Sequence, residues 1–330
     1  MLLAADVGGT KTLLGVFAPA DRRPEPIALH AYATGEYSSF TAILEAFAGD
    51  VNAPLGIHAA ALGVAGPVIG TSARLTNVAW DISAAEVTSV FGTSRVQLMN
   101  DLEALANSVD VLEGDEIAVL QEGMPRADGN AAVIAAGTGL GQACLHRHGG
   151  RLVPIPSEGG HADFAARTDR EIELVKMLRD AFGRAEVEQV LSGMGLLNIH
   201  RFTHRGGECA MLEGADDKAA RVSQAALAGR CQQCVEALRM FVSAYGAEAG
   251  NLALRGLATA GLYVGGGIAP KILPMLKGPL FMEAFLAKAP MNDVVARIPV
   301  RVILNPNAGL IGAAMRAQEL ATGYRLPATS

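Results

Sequence analysis

The chain has 330 residues, half of them hydrophobic and 18% charged, which is enough apolar surface for a large core and too little charge for a disordered polymer. A net charge of −6 provides no electrostatic footprint for nucleic acid or for an anionic membrane surface, so the expected ligand is small. Four cysteines in a chain of this length make no disulfide framework, no apolar run reaches the ~18 residues of a membrane span, and Asp6 interrupts the stretch that a secretory signal would keep apolar. A soluble, cytoplasmic protein is expected, and its length predicts two lobes with a cleft between them.

The chain opens MLLAADVGGTKTLLGVF, which predicts strands Leu2 to Ala5 and Thr12 to Phe17 around a turn at Gly8-Gly9-Thr10. A plain hairpin is one reading. The other is an anion loop, because the turn combines the Asp6 carboxylate, two adjacent glycines whose N–H groups can face a phosphate, and a hydroxyl. Further along, Ser39 to Ala48 reads as a helix with a serine N-cap, His58 to Val64 as a strand, and Val96 to Met99 as a strand leading into a helix at Asp101 to Val111. Ala131 to Ala136 is a strand, and Thr168-Asp-Arg-Glu171 is a capping box opening a helix to about Ala181. Asp217 to about Gly256 is an Ala-rich tract holding one kinked or two consecutive helices. Strands at Leu262 to Val264 and Val300 to Leu304 precede a last helix from Gly309 to Thr322, so the pattern is α/β throughout.

AADVGGTKTLLGVF is echoed by VIAAGTGLGQACL, where a β-run again passes through Gly-Thr and returns as a second β-run. A third cluster, Gly265-Gly266-Gly267, also follows a strand, and open α/β sheets bind ligands at such strand ends. Spacing eliminates the common nucleotide devices. No Gly-Lys-Ser/Thr of a P-loop occurs, GTGLGQA has a misplaced third glycine for a dinucleotide fingerprint, and protein-kinase signatures are absent. A pair of β-hairpin phosphate clamps remains, with Asp6 near a Mg²⁺ ion.

DVGGTKT, GVAGP, NDLEALANS, AGTGLG, PSEGGHADF, EQVLSGMGL, GNLAL, VGGGIAP and NPNAGLIGA occur in the order and approximate spacing of the bacterial ATP-dependent glucokinases, which the chain resembles from Leu3 to about Arg316. The resemblance implies the two-lobed actin-like ATPase (ribonuclease H-like) fold, each lobe a mixed β-sheet flanked by helices, with the active site in the interlobe cleft. It implies a small lobe at residues 1–111 completed by the C-terminal helix at about 305–330, and a large lobe at 112–304. It also implies transfer of the ATP γ-phosphoryl group to the 6-hydroxyl of glucose, with ATP and Mg²⁺ required.

The nucleotide is then expected on Asp6, Gly8, Gly9, Thr10, Lys11 and Thr12, on Gly137, Thr138 and Gly139, and on Gly265, Gly266 and Gly267, with Asp6 holding Mg²⁺ directly or through water. The sugar-binding positions carried over from the family are Asn100, Asp101, Glu158, His161 and Glu188. A ring of neutral hydroxyls needs such bidentate acceptors and amides, because a site built for them is left with unpaired polar groups by the wrong sugar. Asp101 reads as either a helix N-cap or a general base, and the resemblance favours the base. Glu158 and His161 flank two glycines, which allow a tight turn aiming both side chains at one point. Glu186 is expected to be an exposed helical charge, since only Glu188 has the family's spacing to Leu-Ser-Gly. Asn77 and Trp80 align with a segment lining the sugar lobe, or are a loop amide and a core indole.

Cys231-Gln-Gln-Cys234 has the look of a redox or zinc motif, but within the Ala-rich tract it reads as two buried small hydrophobes. No Cys-rich zinc motif follows His161 and no helix-turn-helix precedes Leu2, which argues against a DNA-binding repressor. The expected partners are a sugar and a nucleotide, with a homodimer formed through the large lobe. A kinase for another hexose (mannose, fructose or an N-acetyl amino sugar) and a non-catalytic sugar sensor of the same fold are the alternatives.

Overall fold

The structure of the protein, a computed structural model, describes residues 1–51, 56–75, 78, 80–207 and 209–323. Asn77 lies outside the described residues. Contacts divide the chain into two units, one made of Met1–Gly114, Arg151–Pro154 and the chain from Asn305 onward, the other of Asp115–Gly150 and Ile155–Leu304.

The first unit is built on a five-stranded sheet in the order Glu25–Ala33, Lys11–Ala18, Leu2–Val7, Ala59–Val64, Val96–Asn100. Leu2–Val7 runs antiparallel to Lys11–Ala18 and parallel to Ala59–Val64. This central strand is covered on both faces, hence its unbroken apolar sequence. Its odd residues Leu3, Ala5 and Val7 join Phe40, Ile43, Leu44 and Phe47 of helix Phe40–Val51 in one core. Its even residues Leu2 and Ala4 join Leu310, Ala313, Ala314 and Ala317 of helix Ala308–Thr322 in another. The period of two therefore decides which face receives Asp6, namely the face of the C-terminal helix. Strand Glu25–Ala33 escapes sequence reading because it is an edge strand whose residues are largely exposed and carry no apolar alternation.

In the second unit, strands run in the order Leu140–His148, Ala131–Ala136, Gly261–Gly265, Val300–Ile303, Ile117–Gln121. Helix Gln232–Arg255 packs its Leu238, Phe241, Val242 and Tyr245 into the core of this unit. The capping box at Thr168 and Glu171 forms as expected and opens helix Asp169–Phe182, which Gly183 ends at φ +84°. The Ala-rich tract holds two consecutive helices, Lys218–Leu227 and Gln232–Arg255, parted around Gly229 at φ +65°. Cys231 consequently sits at the N-cap of the second helix and not inside a helical run. Helix Gly193–Thr203 has no counterpart in the sequence reading, because its glycine-rich start is poor helix material; Ser192 caps it by accepting from the Gly195 amide at 2.9 Å. Among the described residues no helix is long and apolar enough to cross a membrane.

Candidate active site

In the first unit the Gly8–Thr10 turn closes a hairpin in which Val7 pairs with Thr12 and the Gly8 amide donates to the Lys11 carbonyl at 3.0 Å. Thr34 braces it from behind, its hydroxyl donating to the Gly8 carbonyl at 2.8 Å and lying 2.9 Å from the Thr12 hydroxyl. Thr12 is fully buried, so its expected contact with nucleotide gives way to a supporting role behind the turn. Thr10 and Lys11 are exposed at the turn itself.

Asp6 lies one residue before the end of the central strand, on the face of the C-terminal helix, where its Oδ2 is 2.8 Å from the place a Cβ on Gly309 would occupy. A side chain at Gly309 would make the carboxylate shift from its place at the first turn of helix Ala308–Thr322, whose N-terminal dipole favours a negative charge. Burial pushes the Asp6 pKa up to about 6, with the Asp101 charge adding and Lys11 opposing.

Strand Val96–Asn100 hands the chain directly to helix Asp101–Ser108. The N-cap is Asn100, not Asp101: its Oδ1 accepts from the Leu102 amide at 2.9 Å, and its Nδ2 donates to the Gly66 carbonyl at 3.3 Å. Asp101 is the first helical residue and shares the Leu102 amide at 2.9 Å. It reaches the surface, yet the protein around it withdraws enough water to raise its pKa, against the lowering effect of that amide. Trp80 is half-buried against the core of this unit.

In the second unit the Gly137–Gly139 turn is closed by the Gly137 amide donating to the Gly139 carbonyl at 2.9 Å, and the Gly137 carbonyl accepts from the Gly193 amide at 2.8 Å. Glu188 presses on this turn: its Oε2 accepts from the Leu140 amide at 2.8 Å and lies 2.6 Å from where a Cβ on Gly139 would stand. Glu158 is exposed just before the short 3₁₀ turn Gly159–His161. Neither glycine of that turn adopts a positive φ. Gly160 is required because a Cβ there would collide with the Leu140 carbonyl, so close approach to the neighbouring strand, not turn geometry, explains the Gly-Gly pair.

Glu186 departs from expectation. It lies outside any helix and is mostly covered, with Oε2 3.3 Å from His161 Nδ1 and 3.2 Å from an Arg184 nitrogen. Arg184 also donates to the His161 carbonyl. Glu186 thus orients the histidine, as a carboxylate commonly orients an imidazole.

Gly266, at φ +83°, has no room for a Cβ against Ala136, whose carbonyl accepts from the Ile268 amide at 3.2 Å. Tyr245, missed in the sequence for lying in a long apolar helix, explains how these strand ends stay together. Its buried hydroxyl accepts from the Ala136 amide at 3.2 Å and is 3.3 Å from the carbonyls of Ile134 and Gly265. The bottoms of the Gly137–Gly139 and Gly265–Gly267 turns are pinned by one phenol, which burial holds in its neutral form.

A sequence profile of the family described as Glucokinase matches residues 3–320. The chain is similar to the glucokinase of Nostoc punctiforme, 37% identical over 97% of this chain and 99% of that protein, and to that of Chelativorans sp., 36% identical over 96% and 91%. Among solved structures it is similar to a glucokinase from an Antarctic psychrotroph, with 30% identity, a TM-score of 0.86, and coverage of 96% of this chain and 98% of that one. A ROK family glucokinase from Streptomyces griseus, solved with glucose and AMPPNP, shares the fold at 22% identity and a TM-score of 0.64, over 96% and 99% of the two chains.

Proposed function

The chain belongs to the glucokinase family, and from that premise we propose how its residues divide the transfer of the ATP γ-phosphoryl group to the 6-hydroxyl of glucose. The observation that carries the reading is Asp101, a carboxyl with a raised pKa at a strand-to-helix junction, within the electrostatic reach of Asp6. As the sugar O6 attacks the γ-phosphorus, Asp101 accepts the hydroxyl proton, the O6–P bond forms, the bond to the bridging oxygen breaks, and ADP leaves. A base whose pKa is raised toward the working pH is better suited to that transfer than an ordinary aspartate.

Asn100, Glu158, His161 and Glu188 read the sugar hydroxyls, with Glu186 setting the orientation of His161. Thr10, Lys11 and the amides of Gly8 and Gly9 hold one side of the polyphosphate. Gly137, Thr138 and Gly139 hold the other, and Gly265–Gly267 leave room for the adenosine. The residues also fit a magnesium ion: two carboxyls in one another's field, Asp6 and Asp101, are a hard oxygen donor set whose repulsion a cation relieves. Asp6 would hold it, directly or through water, and the ion would neutralise charge building on the phosphate oxygens. A cytoplasmic homodimer formed through the second unit completes the proposal.

A coupled assay for hexose 6-phosphate, run with ATP, Mg²⁺ and a panel of sugars on wild type and Asp101→Ala, tests it. Turnover of glucose that collapses in the variant while glucose still binds supports the assignment. Preference for another hexose, or sugar binding without turnover, would replace it with the corresponding alternative. Light scattering tests the dimer.

A further inference from the structure

We propose that His200, His204, Cys209 and Cys234 form a structural site for a single Zn²⁺ ion, separate in its residues from the groups assigned to sugar and nucleotide. One candidate ligand atom from each of the four lies within 4.8 Å of all the others. His200 and His204 are one helical turn apart at the end of helix Gly193–Thr203, so their rings share a face, with centroids 3.9 Å apart. Cys209 and Cys234 bring sulfurs to 4.0 Å from one another.

The tautomer of His204 follows from its surroundings. Its Nδ1 is 2.9 Å from the His200 carbonyl, which only accepts, so Nδ1 carries the proton and Nε2 presents its lone pair. That backbone contact is the kind of outer hydrogen bond that fixes a metal-binding imidazole. His200 supplies the independent sign of a missing partner. It is 6% exposed, and its buried Nε2 has no hydrogen-bond partner among the described residues, a situation that is costly when nothing satisfies the atom.

A tetrahedral zinc centre, with Zn–S about 2.3 Å and Zn–N about 2.0 Å, sets its sulfurs about 3.8 Å apart and sulfur to nitrogen about 3.5 Å. The two sulfurs, 4.0 Å apart, are already close to that arrangement, and the other separations, all within 4.8 Å, need adjustments of at most about 1.5 Å. A Cys209–Cys234 disulfide would have to close from 4.0 Å to about 2.0 Å. It would also leave the buried His200 Nε2 without a partner. Two thiolates with two imidazoles select zinc over magnesium or calcium.

The expectation that Cys231 and Cys234 are simply buried hydrophobes holds for the packing of Cys234 but not for its company. The sequence reading singled out the Cys-x₂-Cys spacing and passed over His200 and His204, and the fold brings Cys234 of that pair to both histidines. Cys209 completes the set in place of Cys231, whose sulfur stands 3.4 Å from His204 Nε2 at the helix N-cap. The ion would tie together the end of helix Gly193–Thr203, the segment at Cys209 and the start of helix Gln232–Arg255.

The test uses the full chain purified under reducing conditions, with metal content by elemental analysis and titration with Co²⁺ followed by displacement with Zn²⁺. One metal per chain and intense tetrahedral Co²⁺ bands with thiolate charge transfer are expected. Chelation should lower the melting temperature. Cys234→Ala, at a fully buried position, could unfold the unit, so Cys209→Ser and His204→Gln are the deciding variants. Each should remain folded and weaken Zn²⁺ binding at least about a hundredfold, whereas Cys231→Ser should retain the metal. Substoichiometric metal, unchanged affinity in Cys209→Ser and His204→Gln, loss of metal in Cys231→Ser alone, or a Cys209–Cys234 disulfide in freshly alkylated protein would each overturn the proposal.

Discussion

Glu188 and Leu140 are joined by a 2.8 Å hydrogen bond from amide to carboxylate, so a residue assigned to the sugar also holds the Gly137–Gly139 turn assigned to phosphate. On the proposed assignment, one side chain would couple two binding functions within the second unit. Glu188→Ala is expected to raise KM for glucose and for ATP together, each by about tenfold or more, as loss of a charge-assisted hydrogen bond implies. Gly139→Ala should act on the same pair by displacing the carboxylate. Steady-state kinetics with each substrate varied in turn checks both, and a change confined to glucose would remove the coupling.

Asp101→Asn keeps the shape of the side chain and its acceptor toward the Leu102 amide while abolishing the base. The expected result is a fall in kcat of about 10²–10⁴ with KM for glucose little changed. Isothermal titration calorimetry with glucose checks that the inactive variant still binds the sugar.

Asp6 makes a pH prediction whose sign is fixed by its raised pKa. The folded state binds this proton more tightly than the unfolded chain, so its contribution to stability is full below about pH 3.8 and is lost as pH rises through about 6. A shift of that size is on the order of 3 kcal/mol. In the absence of nucleotide, Asp6→Asn should melt at a higher temperature than wild type at about pH 7.5 and show no such gain near pH 4. The same variant should lose phosphoryl transfer. Wild-type activity should fall on acidification through about pH 6.

Tyr245→Phe removes only a hydroxyl but leaves the buried Ala136 amide without that partner. A loss of about 1–3 kcal/mol in urea unfolding, with unchanged m, is expected. Because the phenol pins the strand ends below two glycine turns, KM for ATP should also rise, which a purely structural role elsewhere in the core would not produce.

Much of the fold was legible because its central strands are apolar runs ended by glycine turns. Leu2 to Ala5, Ala131 to Ala136 and the Thr168 capping box all carry their signal in a few adjacent residues. Strand Glu25–Ala33 and helix Gly193–Thr203 were not legible, since tertiary packing overrides weak local preference in both. At the candidate site, the glycine turns and Asp6 stood out by residue type and spacing, whereas Asp101 was favoured as a base only by the family resemblance, its own residues reading equally well as a helix cap. The roles of Glu186, Tyr245 and Gly309 did not stand out. Each depends on a partner distant in sequence (His161, Ala136 and Asp6 respectively), and no local pattern encodes such a meeting.

The pairing of Leu2 and Ala4 with Leu310, Ala313 and Ala314 has a consequence for the life of the chain on the ribosome. Leu2 is sealed by Leu310 and its neighbours, which follow the second unit in the chain, so strand Leu2–Val7 must emerge and wait with one apolar face bare while that unit is translated. The unit at Asp115–Leu304 has all of its own sequence before that seal exists. Synthesis thus imposes an order in which this sheet is finished only after the unit encoded between its strands and its covering helix, and the waiting face needs protection from aggregation in the meantime. A message cut short before Ala308 would leave that exposure permanent.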